Sequence, residues 1–184
     1  LFNKRHRIQG WCDAPLTDLG VYQAQVAGQY FKNAGITFDA AYSSTSERAC
    51  DTLEIVTNGS LPYQRVKGLK EWNFGTFEGE SEDLNPPLPY EDFFVTYGGE
   101  SQDQVRERMA ATILQLMQET KGKSVLMVSH GGAMANFARA WEDNWRLDNL
   151  GHMTNCGILK FSFEDDQFYL EEAIGHDFSG WEEK

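Results

Sequence analysis

Cysteine and positive charge are both scarce in this chain of 184 residues. The three cysteines, Cys12, Cys50 and Cys156, are far apart and form no CxxC pair, so the sequence suggests neither a zinc site nor a disulfide framework. Reduced thiols favour a cytoplasmic location. The net charge of −12 argues against nucleic acid or an anionic membrane as a partner.

Long hydrophobic runs are also missing, so the sequence predicts no membrane span. The first residues do not have the order of a signal peptide, because charge follows the apolar residues. The chain has no initiator methionine, which suggests a piece of a longer polypeptide. Hydrophobic residues make up 41% of the chain, which is ordinary for a globular protein. We expect a single domain over residues 1–184.

Segments with helical periodicity alternate with segments that have the periodicity of strands. This alternation predicts an α/β fold with a largely parallel sheet. Helices are predicted to begin after Thr17, near Ser46 and at Ser101, where Gln104 completes a capping box. An apolar run at 124–128 predicts a strand buried on both faces.

The end of the chain is predicted to contain one more helix and a hairpin. The helix follows residues 129–132 and carries Phe137, Trp141 and Trp145. Residues 157–163 and 167–171 are predicted to form an antiparallel hairpin near a sheet edge.

Two polar stretches are predicted to lie at the carboxyl ends of parallel strands, where the ligands of such sheets bind. His130 follows the apolar run and precedes two glycines and a helix start, where free N–H groups favour an anion. Arg48 lies in the first turn of another helix, and its guanidinium suits phosphate oxygens. A structural histidine, and a surface arginine paired to Glu47 or Glu71, are the alternatives.

Glu71 and Glu78 lie between these stretches, in a segment rich in glycine and aromatic residues. Burial there could raise the pKa of a carboxyl group and suit it to general acid catalysis. Spacing alone does not choose between the two glutamates. A local concentration of positive charge at residues 4–7 is either part of an anion site or a solvated basic turn.

Taken together, these motifs resemble the histidine phosphatase superfamily, the phosphoglycerate-mutase-like group. The matching segments are residues 1–17 with Gly20, Gln23 and Ala24; 44–52 (S-x-x-x-R-A-x-x-T); 69–71 with Gly75, Phe77, Glu78 and Gly79; 99–101; 128–132; and 155–156. They span nearly the whole chain, and their order and number make the resemblance specific. The resemblance implies a three-layer αβα sandwich with a mostly parallel central sheet and an antiparallel edge hairpin.

The resemblance also implies roles for individual residues in phosphoryl transfer, with no metal or other cofactor. Glu71 is implied to protonate the leaving oxygen and then to activate water, while Arg48 and His130 hold the transferring phosphoryl group. The residues implied to line the substrate or phosphate pocket are Asn3, Arg7, Gln9, Gly10, Gly131 and Asn155.

The nucleophile of the family is a histidine in an Arg-His-Gly signature, which would precede Leu1. His6 is not a convincing replacement, because Ile8 rather than glycine follows Arg7 and no apolar strand comes before it. We expect the native polypeptide to extend upstream and to supply a first strand, since its neighbours in the sheet would otherwise have unpaired backbone groups. The 184-residue chain itself is predicted to be inactive.

The main hypothesis is therefore a metal-independent phosphatase that acts on a small phosphorylated metabolite through a phosphohistidine. Compact spacing between the acid and second histidine motifs favours hydrolysis over a phosphoglycerate mutase. A non-catalytic phosphate-ligand or protein-binding module is the alternative if the nucleophile is absent. The sequence leaves the substrate and the oligomeric state open.

Residues 80–99, rich in proline and aromatic residues, are predicted to form a lid-like insertion. Phe93, Phe94 or Tyr97 is expected to contact the organic part of the substrate, because this segment lies between the acid and second histidine motifs. The alternative is a surface excursion that its own aromatic residues hold in place.

Overall fold

The computed structural model describes residues 2–151 and 153–182, so Leu1, where the family resemblance begins, lies outside the described residues. Within that range, helices and strands alternate along the chain. The α-helices are α1 (Asp18–Asn33), α2 (Glu47–Val56), α3 (Gln102–Glu119) and α4 (Gly131–Ala140). The strands are β1 (Ala40–Ser44), β2 (Gln64–Val66), β3 (Val125–Val128), β4 (Ile158–Glu164) and β5 (Gln167–Ile174).

The helix starts follow the capping residues that the sequence contains. The Thr17 hydroxyl accepts a hydrogen bond from the Gly20 N–H at 3.2 Å. At α3, the Ser101 hydroxyl accepts from the Gln104 N–H at 3.1 Å, and the Gln104 side chain accepts from the Ser101 N–H at 2.8 Å. This reciprocal pair satisfies two N–H groups at the helix start, and the predicted capping box is present.

Helix α4 is shorter than the sequence predicts. It ends at Ala140, so Trp141 and Trp145 lie beyond it rather than on its face. The Trp145 indole N–H donates to the Ala138 carbonyl at 2.9 Å. Phe137 and Ala138 in this last turn are buried, and the indole gives the Ala138 carbonyl a second donor beside the Trp141 N–H at 3.0 Å.

The central sheet is parallel, with the order β2-β1-β3. Ser43 of β1 is opposite Arg65 of β2 and Val128 of β3. Strands β4 and β5 form a separate antiparallel pair. The predicted α/β fold with a parallel sheet and an antiparallel hairpin is confirmed, although the hairpin forms its own two-stranded sheet.

Strand β3 differs from the prediction of a strand buried on both faces. All four of its residues are partly exposed. Among the described residues, its strand pairing is with β1 alone, so its other edge has no partner strand. A sheet edge of this kind leaves backbone N–H and C=O groups unpaired.

One hydrophobic core joins the sheet, the helices, the 80–99 segment and the hairpin. Its buried members are Tyr42, Leu69, Trp72, Phe94, Val105, Met109, Ile113, Leu116, Ala133, Phe137 and Phe168. Leu69 and Trp72 come from the segment that contains Glu71, so the core anchors the chain on both sides of that residue. Among the described residues, no helix is both long enough and apolar enough to cross a membrane.

Candidate active site

A cleft of about 720 Å³ lies between the N-terminal loop, the 69–79 segment, the 80–99 segment and α4. Five of the predicted site residues line it: Asn3, Arg7, Gln9, Glu71 and Gly131. The predicted phosphoryl-holding residues Arg48 and His130 are not among its lining residues. The cleft is large enough for a small organic ligand.

Glu71 is a buried carboxylate at the N-terminus of α4, with only 8% of its surface exposed. It accepts hydrogen bonds from the backbone N–H groups of Trp72 at 2.8 Å, Gly132 at 2.9 Å and Ala133 at 2.7 Å. Burial raises the pKa of Glu71, and the three N–H groups oppose the rise without cancelling it. A carboxyl group with a raised pKa can hold a proton for transfer near neutral pH.

Glu78 has a different environment, which separates it from Glu71. Its carboxylate accepts hydrogen bonds from the N–H groups of Gly10 at 3.0 Å, Trp11 at 2.7 Å and Cys12 at 3.0 Å. Partial burial is the largest single influence and raises the pKa of Glu78, but its hydrogen bonds together lower that pKa overall. An ionised carboxylate with these partners holds the 10–12 loop, so geometry favours Glu71 as the acid.

His130 lies at the end of β3, as the sequence predicts. Its Nε2 is 2.8 Å from the Oγ of Ser44, the last residue of β1. Burial lowers the pKa of His130 well below its usual value, and the positive charges of Arg48, Lys70 and Arg108 lower it further. The ring is therefore neutral near pH 7.

Arg48 is bound to the 10–13 loop rather than to Glu47 or Glu71. Its guanidinium donates to the carbonyls of Gly10 at 2.9 Å and Cys12 at 3.0 Å, and to the carboxylate of Asp13 at 2.9 Å. Asp13 also accepts from the Glu47 N–H, so this carboxylate provides the anion at the start of α2. Three of the five guanidinium N–H donors have these partners, which leaves capacity for an oxyanion.

Arg48, Glu71 and His130 therefore belong to one electrostatic environment. Glu71 bonds to the two residues that begin α4 beside His130. The charge of Arg48 lowers the pKa of His130 and also opposes the rise in the pKa of Glu71. Three residues that are distant in the sequence thus act on one another where β1, β3 and α4 meet.

A family model described as the histidine phosphatase superfamily (branch 1) matches residues 1–174. The chain belongs to this superfamily. The family prediction is thus confirmed.

Relatives of this histidine phosphatase chain include mutases and phosphatases. A 2,3-bisphosphoglycerate-dependent phosphoglycerate mutase of Parvibaculum lavamentivorans is 29% identical over 158 residues, which cover 72% of this chain and 70% of the relative. Bacillus stearothermophilus YhfR superposes with a TM-score of 0.78 at 28% identity, covering 92% of this chain and 89% of that one. A phosphoserine phosphatase of Entamoeba histolytica, solved in complex with 3-phosphoglyceric acid, gives 0.77 at 27% identity, covering 95% and 91%.

Arg108 of α3 is a further charged residue at the site, and it fixes the backbone that carries Glu71. Its Nε and Nη2 donate to the two carboxylate oxygens of Glu100 at 2.7 and 2.9 Å. Its other N–H groups donate to the carbonyls of Gly68 at 2.8 Å, Lys70 at 2.9 Å and Glu71 at 3.1 Å. All five donors of the guanidinium are used, so Arg108 is a positioning residue.

Gly10 and Asn155, both predicted to line the pocket, are not among the residues of the cleft. Gly10 is buried, and a Cβ there would lie 2.0 Å from the Trp72 carbonyl oxygen, so only glycine allows this close approach. Its N–H and carbonyl already bond to Glu78 and Arg48. Asn155 is exposed, and its Oδ1 accepts from the Asn3 side chain at 3.5 Å.

The 80–99 segment contributes to the cleft through other residues than those predicted. Phe94 is fully buried in the core, which does not fit the expected substrate contact. Phe93 and Tyr97 pack on Phe77, with ring centroids 5.6 and 4.7 Å apart, and neither lines the cleft. Tyr90 lines it instead, together with Asn85, Leu88 and Pro89. The expectation is therefore corrected for Phe94, because packing encloses its ring. For Phe93 and for Tyr97, which is 40% exposed, it stays a prediction.

Sequence reasoning missed several residues that shape the site: Asp13, Ser44, Lys70, Glu100 and Arg108. Lys70 lies with its Nζ 5.0 Å from the centre of the Trp11 ring, and its charge acts on His130. Glu100 was part of a matched motif, and Lys70 adjoins Glu71 in another, so a signal existed for both. Asp13 and Ser44 also fall within matched segments. Arg108 had no such signal, because most of its partners are distant in the sequence.

Proposed function

We propose that the full-length protein is a metal-independent phosphatase, which hydrolyses the phosphomonoester of a small metabolite through a phosphohistidine. Two observations support it: Glu71 bonds to the first turn of α4, which begins directly after His130, and the charge of Arg48 acts on the pKa values of both Glu71 and His130. Phosphoryl transfer needs positive charge on the equatorial oxygens and in-line placement more than elaborate bonding. The guanidinium of Arg48 and the ammonium of Lys70 supply that charge.

In this mechanism the neutral ring of His130 and the unused N–H donors of Arg48 hold the phosphoryl oxygens. Protonated Glu71 gives its proton to the leaving oxygen when the bond to phosphorus breaks. The resulting carboxylate then takes a proton from the water that attacks the phosphohistidine. The three N–H groups that bond to Glu71 stabilise its ionised form in this second half.

The nucleophile, in this proposal, comes from residues that precede the chain and form another strand beside β3. The free edge of β3 and the partial exposure of its four residues support this placement. A strand there would pair the unpaired backbone groups of that edge. Its carboxyl end would lie beside His130, because neighbouring parallel strands end at the same edge of a sheet. The 184-residue chain alone would then be inactive.

Turnover of p-nitrophenyl phosphate by the full-length protein tests the proposal. We expect phosphate release that is lost with Glu71→Gln and with His130→Ala. Glu80→Gln is a matched control, since that exposed side chain lies close in the sequence. Unaltered turnover in both site variants would reject the site, and no turnover in the full-length protein would favour a binding module.

A phosphoglycerate mutase is the second candidate, because a relative with that name matches much of the chain. Incubation of the full-length protein with 3-phosphoglycerate and 2,3-bisphosphoglycerate separates the two activities. A phosphatase releases inorganic phosphate. Formation of 2-phosphoglycerate without phosphate release would overturn the phosphatase assignment.

A further inference from the structure

Three residues that line the cleft each have a buried side-chain atom with no hydrogen-bond partner among the described residues. The atoms are Nε2 of Gln9, Oδ1 of Asn85 and Oδ1 of Asn136. Native structures contain few such atoms, because an unpaired buried polar group is costly. Three of them in one cleft indicate a place built for hydrogen-bonding groups that come from outside the chain.

Asn136 has the best-defined orientation of the three. It lies on α4 with 2% of its surface exposed, and its Nδ2 donates to the Gly132 carbonyl at 2.9 Å. That carbonyl can only accept, so the nitrogen must face it and Oδ1 must point the other way. The unpaired atom of Asn136 is therefore an acceptor, and a ligand that satisfies it must bring a donor.

The cleft wall is mixed. Trp72, Phe74, Tyr90 and Leu88 supply apolar surface, and the polar or charged residues besides Glu71 and the three amides are Asn3, Arg7, Glu82, Gln102 and Arg139. In ligand pockets, polar groups fix the orientation of the ligand and select its chemistry. Glu71 lies in the same cleft, and the Gly132 N–H that bonds to it belongs to the turn that holds Asn136.

We propose that the organic part of the substrate carries hydrogen-bond donors, hydroxyl or amino groups, which bind Oδ1 of Asn136 and Oδ1 of Asn85. This inference rests on the proposed function, in which Glu71 protonates the leaving oxygen. That oxygen carries the organic part of the substrate, so the organic part lies on the same side of the phosphorus as Glu71. A hydroxyl group can also accept from Nε2 of Gln9. An alkyl group or a carboxylate has no donor and leaves both acceptors unpaired.

Binding of phosphonates tests the inference without any turnover, because their carbon–phosphorus bond withstands phosphoryl transfer. Calorimetry on the full-length protein would compare 3,4-dihydroxybutylphosphonate with butylphosphonate, and 3-aminopropylphosphonate with propylphosphonate. We expect at least one donor-bearing ligand to bind about 10- to 100-fold more tightly than its alkyl partner. The first pair reports on hydroxyl donors and the second on amino donors.

Two variants identify the acceptors. Asn136→Leu and Asn85→Ala should each reduce that affinity ratio several-fold. If Asn136→Leu fails to fold, Asn85→Ala still tests the inference, because Asn85 lies in a loop. Gln115→Ala, an exposed amide on α3, should leave the ratio unchanged. Ratios near one in both pairs would overturn the inference, even if the protein hydrolyses phosphomonoesters. A high affinity ratio in a protein that does not hydrolyse phosphomonoesters would support the inference about hydrogen-bond donors and reject the phosphatase activity.

Discussion

Glu71 and Glu78 are seven residues apart, and both accept several backbone N–H groups, yet their pKa values shift in opposite directions. Glu71 is enclosed by the start of α4 and the core, so burial outweighs its three hydrogen bonds. Glu78 is only partly enclosed, so its hydrogen bonds outweigh burial. The balance between desolvation and hydrogen bonding therefore decides which carboxylate can act as an acid.

Replacement of Glu71, the proposed acid, should cause the largest loss of activity. Glu71→Gln in the full-length protein should lower kcat for p-nitrophenyl phosphate about 10²- to 10⁴-fold, because the variant loses the group that protonates the leaving oxygen and then activates water. Steady-state kinetics measure the change. If Glu78→Gln lowered kcat as much while Glu71→Gln did not, the roles of the two carboxylates would be reversed.

Removal of the other carboxylate should mainly affect stability. Glu78→Ala takes away the acceptor of the N–H groups of Gly10, Trp11, Cys12 and Phe74. We expect a loss of about 2–4 kcal/mol in the free energy of unfolding, and a Tm lower by roughly 5–10 °C. Calorimetric unfolding measures it, with exposed Glu80→Ala as the control. A change below about 1 °C would mean that the 10–12 loop does not need Glu78.

Arg108 holds the backbone of Glu71, so its replacement tests whether the position of that carboxylate matters for catalysis. Arg108→Lys cannot make the paired contact with Glu100 and reach three carbonyls as well. We expect kcat to fall about 10- to 100-fold, because even a displacement of about 1 Å at a reacting group can cost about 100-fold. The basic limb of the pH profile should shift as well. A loss of stability with an unchanged pH profile would make Arg108 merely structural.

The smallest expected effect is a difference in how stability depends on pH. The raised pKa of Glu71 means that the folded state holds its proton more tightly, so the stability it contributes is present at acid pH and lost as pH rises. The lowered pKa of Glu78 means the reverse, so its contribution is present near neutrality and lost as pH falls.

Tm measured from pH 4 to 8 checks both signs. On acidification, the Tm of the wild type relative to Glu78→Gln should fall, while its Tm relative to Glu71→Gln should rise. Parallel curves for the two variants would contradict the assigned pKa directions.

Much of the site was predictable from the sequence because local rules place its parts. Arg48 and His130 each follow a strand, and polar residues at the carboxyl ends of parallel strands meet. The contact of Asp13 with Arg48 and the contacts of Arg108 were not predictable, because the partners come from other elements. Phe94 was placed wrongly, because an aromatic-rich segment can equally well line a cleft or fill a core.

The sequence by itself determined the family, the order of helices and strands, and the set of chemical groups, because motifs, periodicity and capping are local. Only the tertiary structure decided which glutamate has the raised pKa, where the guanidinium of Arg48 binds, and which acceptors of the cleft stay unpaired. Each of these depends on burial and on partners from distant segments, and neither is fixed until the chain is packed.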